Sequence, residues 1–182
     1  MTVSRLQKLT AATQIYGQRA FDNYAQIRSI AETLRDGFCA WMDRDEQCVF
    51  LVPPKGEFTS QNYGSGAFSI SGASFLPLDP ISFGLAVKIS NDDDFMRLTI
   101  LARKEGERMF LSLENGDIVT IDLPAEDTQM LTVYETFYDH ILRWFTDRVE
   151  RYDNGDYGTA DIGFDIQRMS GKSIKDTVSK IV

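Results

Sequence analysis

The sequence predicts an α+β fold, an antiparallel sheet of six or seven strands with two long helices packed on its apolar face. Three observations predict it. Residues 81–123 alternate apolar and polar side chains through four runs separated by turn formers, the period-two pattern of half-buried strands. Residues 4–34 and 127–152 instead repeat their apolar residues every three or four positions, the helical period. A sheet with one dry face and helices with one apolar stripe satisfy each other when the helices cover the sheet.

In the first helix Leu6, Leu9, Ala12, Tyr16, Ala20, Tyr24, Ile27, Ala31 and Leu34 share a stripe, with Asn23 inside it and Gly17 at its edge. At 1.5 Å per residue the helix is about 45 Å long, whereas a chain of this length has a radius of gyration of about 16 Å. It therefore spans the body, overhangs it, or kinks at Gly17. An overhanging end needs a cover, so a homodimer through this helix is expected as one solution. Gly37 marks the helix end, and residues 38–52 then read as a hairpin turning at Asp43, Arg44, Asp45 and Glu46. Pro53 and Pro54 forbid its continuation. In that hairpin Trp41 opposes Cys48 and Cys39 opposes Phe50, so the two cysteines meet only diagonally and are expected as reduced, buried thiols.

Residues 53–80 form a long loop that carries no charge between Phe58 and Leu78. Residues 67–71 within it could make a short edge strand. Aromatics among Gly, Ser, Asn and Gln suit a binding loop, the rings giving contact area and the small polar groups adaptable hydrogen bonds. Phe58, Tyr63, Phe68 and Phe75 are the expected binding residues, with Tyr63 and Phe68 as anchors.

In the meander, Ile81, Phe83, Leu85, Val87 and Ile89 define a dry face, which Met96, Leu98, Ile100 and Ala102 continue after a turn near Asp92, Asp93 and Asp94. Lys104, Glu105, Gly106 and Glu107 make the second turn. For the last hairpin, a two-residue turn at Asn115 and Gly116 scatters apolar residues over both faces. A three-residue loop of Glu114, Asn115 and a left-handed Gly116 places Leu111 opposite Val119 and Met109 opposite Ile121, gathering them on one face.

Pro124 and Asp127 start the second helix, whose apolar residues cover about 160°, wider than a single surface requires. Arg148 falls within that arc, where it is expected to snorkel at the helix end. In the tail, residues 153–158 form a turn; Ile162, Phe164 and Ile166 alternate like a strand. Ser173 and Asp176 could cap a short helix carrying Ile174, Val178 and Ile181. The whole reads as one domain over residues 1–182.

The chemistry to be expected is limited. Of 182 residues 43% are hydrophobic, the net charge is -8 and the pI about 4.7; such a balance repels phosphate backbones and anionic lipid and favours basic partners. No nucleic acid or membrane is expected as partner, and a cytoplasmic location is. The lone histidine, His140, lies on the rim of the second helix's stripe and could serve as an acid or base. No Gly-x-Ser-x-Gly elbow surrounds Ser65 or Ser71. Ser170, Gly171, Lys172 and Ser173 echo a phosphate loop, but Ile166 stands where its first glycine belongs. Residues 153–164 fail as a calcium loop because Gly155, Tyr157 and Phe164 replace oxygen ligands. No cofactor or metal is expected, and Asp92, Asp93 and Asp94 read as solvated charges that steer a partner. The expected function is an acidic protein-binding module of the inhibitor, immunity or chaperone-like kind without catalysis. The alternative is a small-ligand sensor or enzyme with a pocket beneath residues 58–78 and His140 as acid or base.

Overall fold

A computed structural model of the chain describes residues 4–156 and 166–169. The order of elements is α1 (Arg5–Trp41), β1 (Val49–Val52), a 3-10 turn (Gly64–Ala67), β2 (Ile81–Lys88), β3 (Asp94–Glu105), β4 (Arg108–Leu113), β5 (Ile118–Asp122), α2 (Asp127–Asp153) and β6 (Ile166–Arg168). The fold is α+β with one antiparallel sheet ordered β1-β2-β3-β4-β5. β6 lies beside the first residues of β3, Asp94 to Arg168 and Met96 to Ile166, before β4 takes over that edge. Ile162, Phe164 and the expected terminal helix lie outside the described residues.

One face of the sheet is dry. Leu51 opposes Leu85, Leu85 opposes Leu98, Phe83 opposes Ile100, Ile100 opposes Leu113, and Leu111 opposes Val119. All of them are buried in one cluster with Ile27, Leu34 and Phe38 of α1 and Met130, Val133 and Phe137 of α2. The other face is covered on one side only. There residues 53–58 cross β3: Arg97 donates to the carbonyls of Pro53 (3.2 Å) and Gly56 (2.7 Å), and Thr99 donates to that of Pro54. The Phe58 ring lies 5.0 Å from the guanidinium carbon, a cation-π contact within the covered part of this face.

Two expectations fail at the end of α1. The helix does not stop near Leu34 but runs to Trp41, so residues 38–42 are helical and only β1 remains of the hairpin over residues 38–52. Gly37 is inside the helix because packing needs it. A Cβ there would lie 2.9 Å from Tyr134 Cζ, and closer still to the hydroxyl, which donates to the Thr33 carbonyl. Phe38 then stacks on Tyr134 with ring centroids 5.6 Å apart. The helical extension also changes the cysteines. Cys39 on the last turn meets Cys48 just before β1, with Cα atoms 5.7 Å apart, and the two are disulfide-bonded rather than reduced.

The turns are corrected in detail. Glu105 pairs with Arg108, so the β3–β4 turn is only Gly106 and Glu107, with Gly106 at φ +59°. In the last hairpin Leu111 opposes Val119 and Met109 opposes Ile121, and the left-handed residue is Asn115, not Gly116. Gly116 is needed for space: its Cβ would fall 2.7 Å from His140 Nδ1. Residues 64–67 make a 3-10 turn, and of the edge strand expected at 67–71 only an isolated bridge from Phe68 to Phe83 forms.

Candidate functional site

Ser4 caps α1 with a full capping box: its side chain accepts from Gln7 N and the Gln7 side chain accepts from Ser4 N. Beyond the cap the helix leaves the body. Every residue from 4 to 15 is exposed, including Leu6 (72%), Leu9 (64%) and Ile15 (64%). Those twelve residues span about 18 Å. The segment carries Arg5 and Lys8, Arg19 follows on the next turn, and no carboxylate occurs between residues 4 and 21. Since the chain as a whole carries -8, these three cations leave -11 for the remainder.

The uncharged loop meets α1 where the overhang begins. Tyr16 stacks on Phe75, centroids 5.3 Å apart and planes 11° apart, and its hydroxyl accepts from Leu78 N at 3.1 Å. Phe75 and Leu78 are themselves exposed large apolar residues. The rest of the loop is tied to the sheet: Tyr63 N donates to Leu51 O, Leu51 N to Asn62 Oδ1, and Ser69 N to Ser82 O, all at 2.8 to 2.9 Å. Phe68 is buried in the core between Tyr24 and Phe83. Phe58 is buried against Arg97. Tyr63 is half-buried, and hydrogen bonds from the Thr59 side chain and backbone hold its phenol below the usual range. Of the four aromatics expected to bind, only Phe75 therefore stands fully outward, and Phe68 is buried in the core.

The acidic turn is largely neutralised from within. Lys88 pairs with Asp93 at 2.7 Å, and Arg168 holds Asp94 at 2.6 and 3.1 Å. The Arg168 guanidinium, helped by the Ser90 hydroxyl, keeps the Asp94 carboxyl below the ordinary carboxylate range. Asp92 is exposed. Among the described residues no group of three or more His, Cys, Asp or Glu side chains is placed to hold a metal ion, and no helix is long and apolar enough to cross a membrane.

His140 sits against the β4–β5 turn, near Gly116, Asp117 and Arg143. Burial first, and the Arg143 charge second, push its imidazole below the ordinary value, with Asp117 opposing them. The loop is tied to β1 and β2 through Leu51, Ser82 and Phe83, whereas His140 packs against the β4–β5 turn. Arg148 lies over the Trp144 ring, 3.6 Å from its centroid, and donates to the Trp144 carbonyl. The overhang was legible as one of three outcomes of helix length; the neutralised acids were not, since their cationic partners are 5 to 74 residues away in sequence.

No family model, curated protein or solved structure matches the chain.

Proposed function

We propose that the chain is a protein-binding module without catalytic activity, and that its binding face is the first three turns of α1 together with Phe75 and Leu78. One observation carries this reading: a helical segment with three large apolar side chains is exposed around its whole circumference. An isolated helix of this length is marginal in water and draws most of its stability from packing. Exposed contiguous apolar surface of this kind marks an interaction site. Both helices on the same face of the sheet complete the proposed architecture, supported by the contact of Phe38 with Tyr134 and by their shared core.

The overall charge of -8 favours a basic partner, whereas the helical part of this face itself carries cations. Only charges within about 8 Å act strongly at physiological salt; Arg5, Lys8 and Arg19 lie along the helix, and Asp79 follows Leu78 at the foot of the overhang. A partner for this face is apolar with a carboxylate rim. The inhibitor, immunity and chaperone-like classes all remain within this reading.

The test is affinity purification from the native host with wild type and a Leu6→Ser, Leu9→Ser double variant, under conditions where both show the same melting curve. Loss of one defined, saturable partner from the variant alone supports the reading. Equal recovery by both shows that the face is elsewhere.

A further inference from the structure

We propose that a second copy of this chain covers the first three turns of α1, and that it does so with the last turns of its own α2. The inference rests on the binding face described above and names its occupant. Along α2, Phe145, Val149 and Asp153 form one row at spacing four, and Thr146, Glu150 and Asn154 form the next. A depression of about 520 Å³ lies along these two rows. A channel between rows at spacing four is where a ridge of a second helix packs. Val149 is exposed, Phe145 is partly buried against the core, and Glu150 and Asp153 supply carboxylates at the rim.

The overhang has the complementary shape. Leu6, Leu9, Ala12 and Ile15 form a ridge at spacing three, and Arg5 and Lys8 occupy the adjacent row. A spacing-three ridge in a spacing-four groove crosses at about 20°, so the helices run nearly along one another. Apolar ridge then meets apolar floor while the Arg5 and Lys8 row meets the Glu150 and Asp153 rim.

Charge decides against the simpler pairing of α1 with α1. That arrangement sets Arg5, Lys8 and Arg19 of one copy against the same three of the other, with no carboxylate between residues 4 and 21 to offset them. A two-fold pair of overhang and groove makes its contact twice. Doubling is how so short a face reaches the roughly 1,200 Å² of a stable interface.

The experiment measures mass by sedimentation equilibrium on the full chain and on two charge-reversed variants, Arg5→Glu with Lys8→Glu, and Glu150→Lys with Asp153→Lys. Wild type is expected to be dimeric at tens of micromolar. Each variant alone is expected to dissociate at least tenfold more readily, with unchanged far-ultraviolet circular dichroism. Mixing the two variants is expected to restore a dimer, because both contacts of the mixed pair again oppose basic and acidic rows. Wild type that stays monomeric at about 100 µM, a variant that dimerises like wild type, a mixture that stays monomeric, or growth into longer chains overturns the proposal. Amide exchange of residues 5–15 in dilute wild type separates the two levels of inference. Fast exchange in a protein that never dimerises removes the second copy and leaves the face; slow exchange in a monomer removes both.

Discussion

The two halves of α1 obey the same sequence rule and meet opposite fates. Leu6, Leu9, Ala12 and Tyr16 recur at spacings of three and four, as do Ile27, Ala31, Leu34 and Phe38. The second set is buried beside β1 and α2, while the first set stands in water apart from Tyr16. Periodicity therefore identifies which side of a helix wants cover without saying what provides it. The length of the helix against the size of the body carried that information, and it left three solutions of which the overhang is the one adopted. α2 repeats the contrast, with Met130, Val133 and Phe137 in the core and Val149 exposed.

The largest effect comes from the same substitution made in each half. Leu34→Asp places a carboxylate at a fully buried site and is expected to abolish cooperative unfolding. Leu34→Ala is expected to cost roughly 2–5 kcal/mol. Leu9→Ala should stay within about 0.5 kcal/mol for the dilute protomer, the usual range for surface changes. Urea denaturation at sub-micromolar concentration compares the two, and equal losses at both sites erase the distinction between the halves.

Glycine sharpens it further. Gly37→Ala pushes a methyl into Tyr134 and is expected to destabilise by about 1–3 kcal/mol, the range for overpacking. Adding Tyr134→Phe removes the nearest atom and should recover part of that loss, a non-additive pair measurable in a double-mutant cycle. Gly17→Ala has nothing within 4 Å of the new methyl. There helix propensity alone acts, and a gain of up to about 1 kcal/mol is expected. A loss at Gly17 comparable with that at Gly37 would show that the helix is packed where it looks bare.

These glycines also show what the sequence could and could not disclose. The meander was legible because alternation and turn chemistry are local, and the Leu111 to Val119 register followed from requiring one dry face. The end of α1 was not, because Gly37 is usually a stop signal and its reason for being helical, Tyr134, lies 97 residues further along. That single error displaced the hairpin and with it the pairing of Cys39 with Cys48. The site suffered similarly. Aromatic, uncharged residues such as Phe68 and Phe58 look alike in a binding loop and in a loop pinned to a core, and only tertiary partners such as Phe83 and Arg97 separate the cases.

His140 probes the boundary between the covered and uncovered parts of α2, and its effect is the smallest. Its folded pKa lies below the ordinary 6.5 through burial and the Arg143 charge. As pH falls through about 6.5 the unfolded chain therefore takes up the proton first, and by linkage stability falls. The contribution is fully present above that pH and diminishes as the pH falls toward the folded pKa. His140→Gln removes the titrating group and is expected to flatten the dependence of the urea midpoint on pH between about 7 and 5. A wild-type midpoint already flat over that interval would mean that the imidazole is solvated, placing the boundary of the covered region ahead of residue 140 rather than beyond it.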